Sequence, residues 1–256
     1  MSQGNSMSPR YYSRKEIIEA FDPHSWQRVM FSEFTAILTS ECRPFPCIFG
    51  IAGFKADQLR FTFFEPDDVA SLALTLEKFL KMAREYGPNT SLVAFSRPGP
   101  IASIETYRKR FWTLLKRLAV HDRKPWPNYI AENLDDPHWE FCFAGEPIFV
   151  VCNTPAHILR QSRRASTFMI TFQPRWVFDT ILNPPERAEK AFTKVRRRLE
   201  KFDLLPPSPS LGRYGDSDVL EYQQYFIDDE NERAACPFAS LHEPKVTNPK
   251  KQENVA

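Results

Sequence analysis

Proline sets the segment boundaries of this chain. The 256 residues include 22 prolines and only 8 glycines, whereas average proteins contain more glycine (~7%) than proline (~5%). Each proline removes a backbone donor and fixes its own φ, so long helices and strands are expected to stop near prolines. Phenylalanine is as abundant as proline, with 22 residues beside 8 tyrosines and 5 tryptophans. We therefore expect a rigid body with proline-stiffened loops around a wide apolar interior.

Charge and cysteine usage exclude several functional classes. The net charge of +2 is too small to attract nucleic acid or an acidic membrane surface. No run approaches the ~18 consecutive apolar residues of a membrane span, and the polar N-terminus lacks the apolar core of a secretion signal. The chain has an odd number of cysteines: Cys42, Cys47, Cys142, Cys152 and Cys236. We expect a soluble, cytoplasmic protein with free thiols.

Hydrophobic periodicity predicts one ordered domain over residues 13–242, between polar tails at 1–12 and 243–256. Helices are predicted from about Pro23 to before Arg43, then over Asp67–Tyr86, Ile101–Val120, Arg175–Ile181 and Glu186–Phe202. Strands are predicted over Cys47–Ile51, Leu59–Phe64, Leu92–Phe95, Trp139–Phe143, Ile148–Cys152 and Phe168–Phe172. The irregular alternation favours an α+β (mixed α/β) fold, a single domain with a mainly antiparallel sheet and several packed helices.

The motifs of the commonest cofactor sites and active sites do not occur in this sequence. It contains no G-x-G-x-x-G, no P-loop, no H-E-x-x-H, no G-x-S-x-G and no C-x-x-C. This disfavours nicotinamide, flavin and ATP sites of the usual kinds and a simple zinc site.

Two thiols beside proline are the first candidate functional groups. Cys47 lies in Phe45-Pro-Cys-Ile-Phe, and Cys236 lies in Cys236-Pro-Phe. A thiolate is a soft ligand for iron, and in an aromatic pocket it can hold haem axially. The alternative is a buried cysteine that acts as a small hydrophobe.

A basic segment after the predicted hairpin is the second candidate. It contains His157, Arg160 and Arg163. Arginine presents a planar fork that binds carboxylates, such as haem propionates or an amino-acid substrate. His157 is a candidate metal ligand. The alternatives are a solvated charged face for the arginines and a hydrogen-bonded structural role for the histidine.

Five motifs in this order resemble the YqcI/YcgG family. They are Phe45-Pro-Cys-Ile-Phe, Trp139-Glu-Phe-Cys-Phe-Ala-Gly-Glu-Pro-Ile-Phe-Val, Arg160-Gln-Ser-Arg, Tyr222-Gln-Gln-Tyr-Phe and Cys236-Pro-Phe. The resemblance covers about residues 20–240 and is greatest to the branch with haem-dependent pre-guanitoxin N-hydroxylases. Members of another branch have Asn-Pro-His where this chain has Gln173-Pro-Arg, so no histidine ligand is carried over at that position.

The resemblance implies a haem-dependent N-oxygenase that oxidises an amine or guanidine nitrogen of an amino-acid-like substrate. It implies haem iron, O2 and an external electron donor, with Cys47 as the first candidate axial ligand and Cys236 as the second. Arg160 and Arg163 become candidate partners of a propionate or carboxylate. Two alternatives stay open: a non-catalytic haem or small-molecule binding protein, and a non-haem iron oxygenase using His121, Asp122 and His138 or His157. A homodimer is left open.

Overall fold

The computed structural model describes residues 10–233. The α-helices are α1 (Arg14–Ala20), α2 (Trp26–Thr39), α3 (Ile48–Lys55), α4 (Val69–Tyr86), α5 (Ile104–His121), α6 (Arg175–Ile181) and α7 (Pro185–Phe202). The strands are β1 (Leu59–Phe64), β2 (Ser91–Ser96), β3 (Cys142–Phe143), β4 (Glu146–Asn153) and β5 (Met169–Pro174). Two 3-10 helices, η1 (Gln161–Arg163) and η2 (Glu221–Gln224), follow β4 and α7.

The strands form one mixed sheet in the order β1-β2-β5-β4-β3. β1 and β2 are parallel and are connected through α4, whereas the pairings β2–β5, β5–β4 and β4–β3 are antiparallel. Parallel neighbours need a crossover connection, which α4 provides. The predicted α+β fold with a mainly antiparallel sheet is confirmed.

The sheet separates two apolar cores. One core packs α4 and α5 against one face, and includes Leu92 and Ala94 of β2. The other packs α2 and α3 against the opposite face, and includes Val93 and Phe95 of the same strand. Alternate residues of β2 thus enter different cores, and every residue of this strand is buried.

The abundant phenylalanines fill the second core edge to face. Phe61, for example, packs against Phe31 and Phe34 with ring centroids 5.0 and 5.8 Å apart. Such aromatic pairs contribute about 0.5–1.5 kcal/mol beyond the area that they bury. Most of the aromatic surplus therefore stabilises the packed interior.

One predicted strand is wrong. Residues 47–51 enter helix α3, whose N-cap is Cys47. A short apolar run fits a strand or a helix that is buried, and periodicity alone does not separate the two. The predicted strand at Trp139–Phe143 is also shorter than expected, because the N–H of Phe141 donates to the Tyr225 hydroxyl at 3.0 Å. Helix α1 was not predicted, although its capping box of Ser13 and Glu16 is visible in the sequence.

Candidate cysteine and arginine site

Cys47 lies at the N-terminus of α3 and is half-buried. The N–H of Gly50 donates to its Sγ at 3.2 Å, so a sulfur replaces the oxygen of a usual N-cap. Burial raises the pKa of the Cys47 thiol, while the N–H groups of Gly50 and Phe49 and the charges of Arg163 and Arg198 act in the opposite direction. Burial outweighs the N–H groups and the arginines, so the neutral thiol is favoured, while these groups reduce the cost of forming the thiolate.

Arg163 is a buried cation whose charge acts on the Cys47 thiol. Its side chain lies in η1 and the residue is 9% exposed. Nη2 donates to the carbonyl of Gln224 at 3.1 Å, but Nη1 has no acceptor among residues 10–233. Burial lowers the pKa of Arg163 to about 10, and Arg160 lowers it further, while Cys152, Asp203 and Cys47 act to raise it. An unpaired buried N–H is costly, so this group is suited to an anionic ligand.

Arg160 is held by protein acceptors on every side. It is 2% exposed, and its guanidinium donates to the carbonyls of Asp228 and Pro206 at 2.8 and 3.3 Å and to Asn231 Oδ1 at 2.7 Å. Its Nη1 also lies 3.8 Å from Asp203 Oδ2. These contacts tie η1 to the segment after η2, and they leave Arg160 without the spare donor that Arg163 has.

His157 is fully buried, and both of its ring nitrogens have partners. Nε2 lies 2.9 Å from the carbonyl of Ile227, and Nδ1 lies 2.8 Å from the Thr154 hydroxyl. Because a carbonyl only accepts, Nε2 carries the proton and Nδ1 accepts from Thr154. Burial lowers the pKa of His157 to about 4. In this arrangement the imidazole is neutral and has no lone pair free for iron.

The predicted site residues are thus only partly brought together. Cys47 and Arg163 interact electrostatically, whereas His157 and Arg160 serve as hydrogen-bonded links to residues 227–231. Cys236 lies outside the described residues. A cavity of about 40 Å³ opens nearby, lined by Phe45, Asn153 and Thr167 among others. It has room for about three waters and does not take a porphyrin.

Sequence reasoning missed a second charged cluster, which consists of Glu140, Arg175 and Glu221. Arg175 donates from Nε and Nη2 to the two oxygens of Glu140, each at 2.7 Å. The same Nη2 also bonds to Glu221 Oε1. Both carboxyls are almost wholly buried. Burial raises the pKa of both Glu140 and Glu221, against the effect of Arg175. The available signal was a carboxylate in the otherwise apolar run Trp139-Glu-Phe-Cys-Phe.

Two further observations bear on the open alternatives. In the range 10–233, no three or more His, Cys, Asp or Glu side chains converge as a metal site. The facial arrangement that a non-haem iron site needs is therefore not formed by these residues. None of the described helices combines the length and the apolar character needed to cross a membrane.

The fold and this site define a class: an α+β protein in which a thiol at a helix N-terminus interacts electrostatically with a buried, incompletely paired arginine. The chain belongs to the YqcI/YcgG family, whose sequence profile matches residues 34–239. This confirms the resemblance of the five motifs.

Three relatives support this assignment. The chain is 41% identical over 225 residues to both "Uncharacterized protein YqcI" and "Uncharacterized protein YcgG" of Bacillus subtilis (strain 168), covering 84% of this chain and 89% of each relative. It is 30% identical over 229 residues to "Putative N(omega)-hydroxy-L-arginine synthase DcsA" of Streptomyces lavendulae, covering 85% of both chains. A search of solved structures gave no significant match.

Proposed function

We propose that the protein is an N-oxygenase that acts on an amine or guanidine nitrogen of an amino-acid-like substrate. The observation that carries this proposal is the similarity to DcsA over 85% of both chains. The name of that relative describes the synthesis of an N-hydroxylated amino acid. In such a reaction one oxygen atom of O2 is added to the nitrogen and the other leaves as water. An external donor supplies two electrons, and the solvent supplies two protons.

We further propose haem as the cofactor, with Cys47 as the residue that would bind its iron. The support is the donor atom: the Gly50 N–H donates to this half-buried thiol, and the Arg163 charge acts to lower the pKa that burial raises. The cavity described above is neither lined by Cys47 nor large enough for a porphyrin, so haem binding would require the residues around this thiol to move apart. When bound, haem would supply an iron that activates O2, and a thiolate ligand favours O–O cleavage.

Arg163 has its own role in this proposal. The unpaired Nη1 would donate to a carboxylate, either a haem propionate or the carboxylate of the substrate. This contact would position the anionic group and give the buried Arg163 Nη1 a hydrogen-bond acceptor. The candidate role of Cys236 as an alternative ligand stays a prediction.

Reconstitution with haemin tests the proposal. The purified protein is titrated anaerobically, and we expect a Soret band that saturates at one haem per chain. Cys47→Ser and Cys47→His should move this band, whereas the matched variant Cys152→Ala should not, because Cys152 is a fully buried thiol in strand β4.

The outcomes separate the alternatives. Absence of the band would refute haem dependence, and iron without porphyrin in fresh protein would favour a non-haem oxygenase. A shifted band in Cys236→Ser but not in Cys47→Ser would transfer the ligand role to Cys236. Haem binding without O2 consumption across a panel of amines, amino acids and guanidines would favour the non-catalytic binding protein.

A further inference from the structure

The Glu140, Arg175 and Glu221 cluster holds more negative than positive charge. Two carboxylates share one guanidinium, which binds Glu140 through a two-bond fork and Glu221 through Nη2 alone. Both carboxyls are removed from water, since Glu140 is 0% and Glu221 is 2% exposed. A buried charge without a partner is unfavourable, and binding a proton is the usual remedy.

Within residues 10–233, the main electrostatic influences on the two carboxyls besides Arg175 bring no further positive charge. The described titratable groups that interact with these carboxyls include Asp179 of α6, Cys142 of β3, and Tyr129, Tyr214 and Tyr225 of the neighbouring loops. Of these, Asp179 adds negative charge and the others are neutral acids. Tyr225 is already engaged, because it donates to the carbonyl of Ile148 and accepts from the N–H of Phe141. Burial raises the pKa of Glu140 to about 8, and the two carboxyls titrate as a pair.

The cluster is connected to the candidate site through Gln224. Gln224 lies three residues after Glu221, in the same short helix η2. Its side-chain N–H donates to Glu221 Oε2 at 3.5 Å, and its backbone carbonyl accepts from Arg163 Nη2 at 3.1 Å. A shift of η2 therefore changes both the ion cluster and the support of Arg163.

We propose that the Glu140, Arg175 and Glu221 cluster is a one-proton switch that fixes η2 when it is protonated and loosens η2, and with it Arg163, when the proton is lost. Loss of the proton leaves two carboxylates competing for Arg175 Nη2, and Glu221 is the one that moves because it has a single bond to the guanidinium. The consequence for catalysis rests on the proposed role of Arg163, but the switch itself does not.

Amide hydrogen exchange of the protein without haem or substrate tests the switch. After correction for the intrinsic exchange rates, we expect the protection factors of residues 221–227 and 161–164 to fall between about pH 7 and 9. The loss of one proton limits this fall to about tenfold per pH unit. Glu221→Gln should remove this pH dependence. The matched variant Glu146→Gln should retain it, because Glu146 is a partly exposed carboxylate of β4 that pairs with Arg84.

A second measurement needs no variant. The infrared spectrum of the wild-type protein should contain a band of a buried protonated carboxyl group at pH 6.5 that is lost by pH 9. Absence of this band, unchanged protection in the wild type, or the same pH dependence in Glu221→Gln would each refute the switch. A failure to bind haem would count against the proposed function and leave these results unaffected.

Discussion

Two buried arginines lie close to each other in the chain: Arg160 is the N-cap of η1, and Arg163 is its last residue. Replacing each of them by methionine, in separate variants, distinguishes a structural cation from a functional one. Arg160 makes three hydrogen bonds at 2.7–3.3 Å and lies 3.8 Å from Asp203. Arg163 makes one hydrogen bond, to Gln224, and leaves one N–H unpaired. The two substitutions remove the same chemical group from neighbouring buried positions.

The expected losses differ widely. Removing one partner of a buried ion network costs about 3–5 kcal/mol, so Arg160→Met should lower the free energy of unfolding by about that amount. For Arg163→Met the lost hydrogen bond from a charged group, about 1.5–3 kcal/mol, is offset by ending the penalty of an unpaired buried donor, about 1–3 kcal/mol. We therefore expect a change within about 1 kcal/mol of zero.

Urea unfolding followed by tryptophan fluorescence measures both values. With a slope of roughly 2–3 kcal/mol per M, Arg160→Met should lower the midpoint by about 1–2.5 M, and Arg163→Met should leave it nearly unchanged. Haemin titration of the folded variants supplies the functional readout, in which only Arg163→Met should weaken binding. The reasoning is refuted if Arg163→Met loses as much stability as Arg160→Met.

Two further predictions concern α3 and His157. A Cβ at Gly53 would lie 2.3 Å from the carbonyl oxygen of Asn89, whereas one at Gly50 would only touch Cys47 Sγ at 3.4 Å. Gly53→Ala should therefore lower the free energy of unfolding by about 1–3 kcal/mol, measured by urea unfolding, and Gly50→Ala should leave it unchanged or raise it. Because burial lowers the pKa of His157 from 6.5 to about 4, the unfolded chain binds more protons between these pH values, and this residue lowers stability by at most about 1.4 kcal/mol per unit as pH falls. Glu140 has the opposite effect: because its pKa is raised from 4.5 to about 8, the folded protein loses stability as pH rises between these values. The difference between wild type and His157→Gln, measured by urea unfolding at pH 5 and 7, should therefore isolate the histidine, and equal slopes would contradict its assignment.

Long amphipathic helices were predictable because their periodicity is local. Helices α4 and α5 begin and end within three residues of the predicted bounds, since apolar spacing and proline fix the face and the ends of a helix. Residues 47–51 were not predictable in the same way. They form a continuous run without a charged or strongly polar position, so they carry no periodicity that would favour a helix over a strand.

The candidate site was predictable only in its local parts. Cys47 and Arg163 were found as residue types in motifs, but their electrostatic interaction and the unpaired Arg163 nitrogen depend on tertiary packing. Glu140 is noticeable in the sequence as a charge among aromatic residues. Its partner Arg175 lies 35 residues later, and Glu221 lies a further 46 residues along the chain, so no spacing rule connects the three.

The strand order has a consequence for how the chain is synthesised. Strand β2 ends at Ser96, but its neighbour β5 begins only at Met169, after α5 and the β3–β4 hairpin. Until the ribosome has released β5, the nascent chain presents an unpaired edge of β2, whose residues are all buried in the finished protein. Such edges recruit other strands, and distant pairings form slowly. We therefore expect β1 and β2 to complete their folding only together with β5, and a fragment that ends after β2 to aggregate.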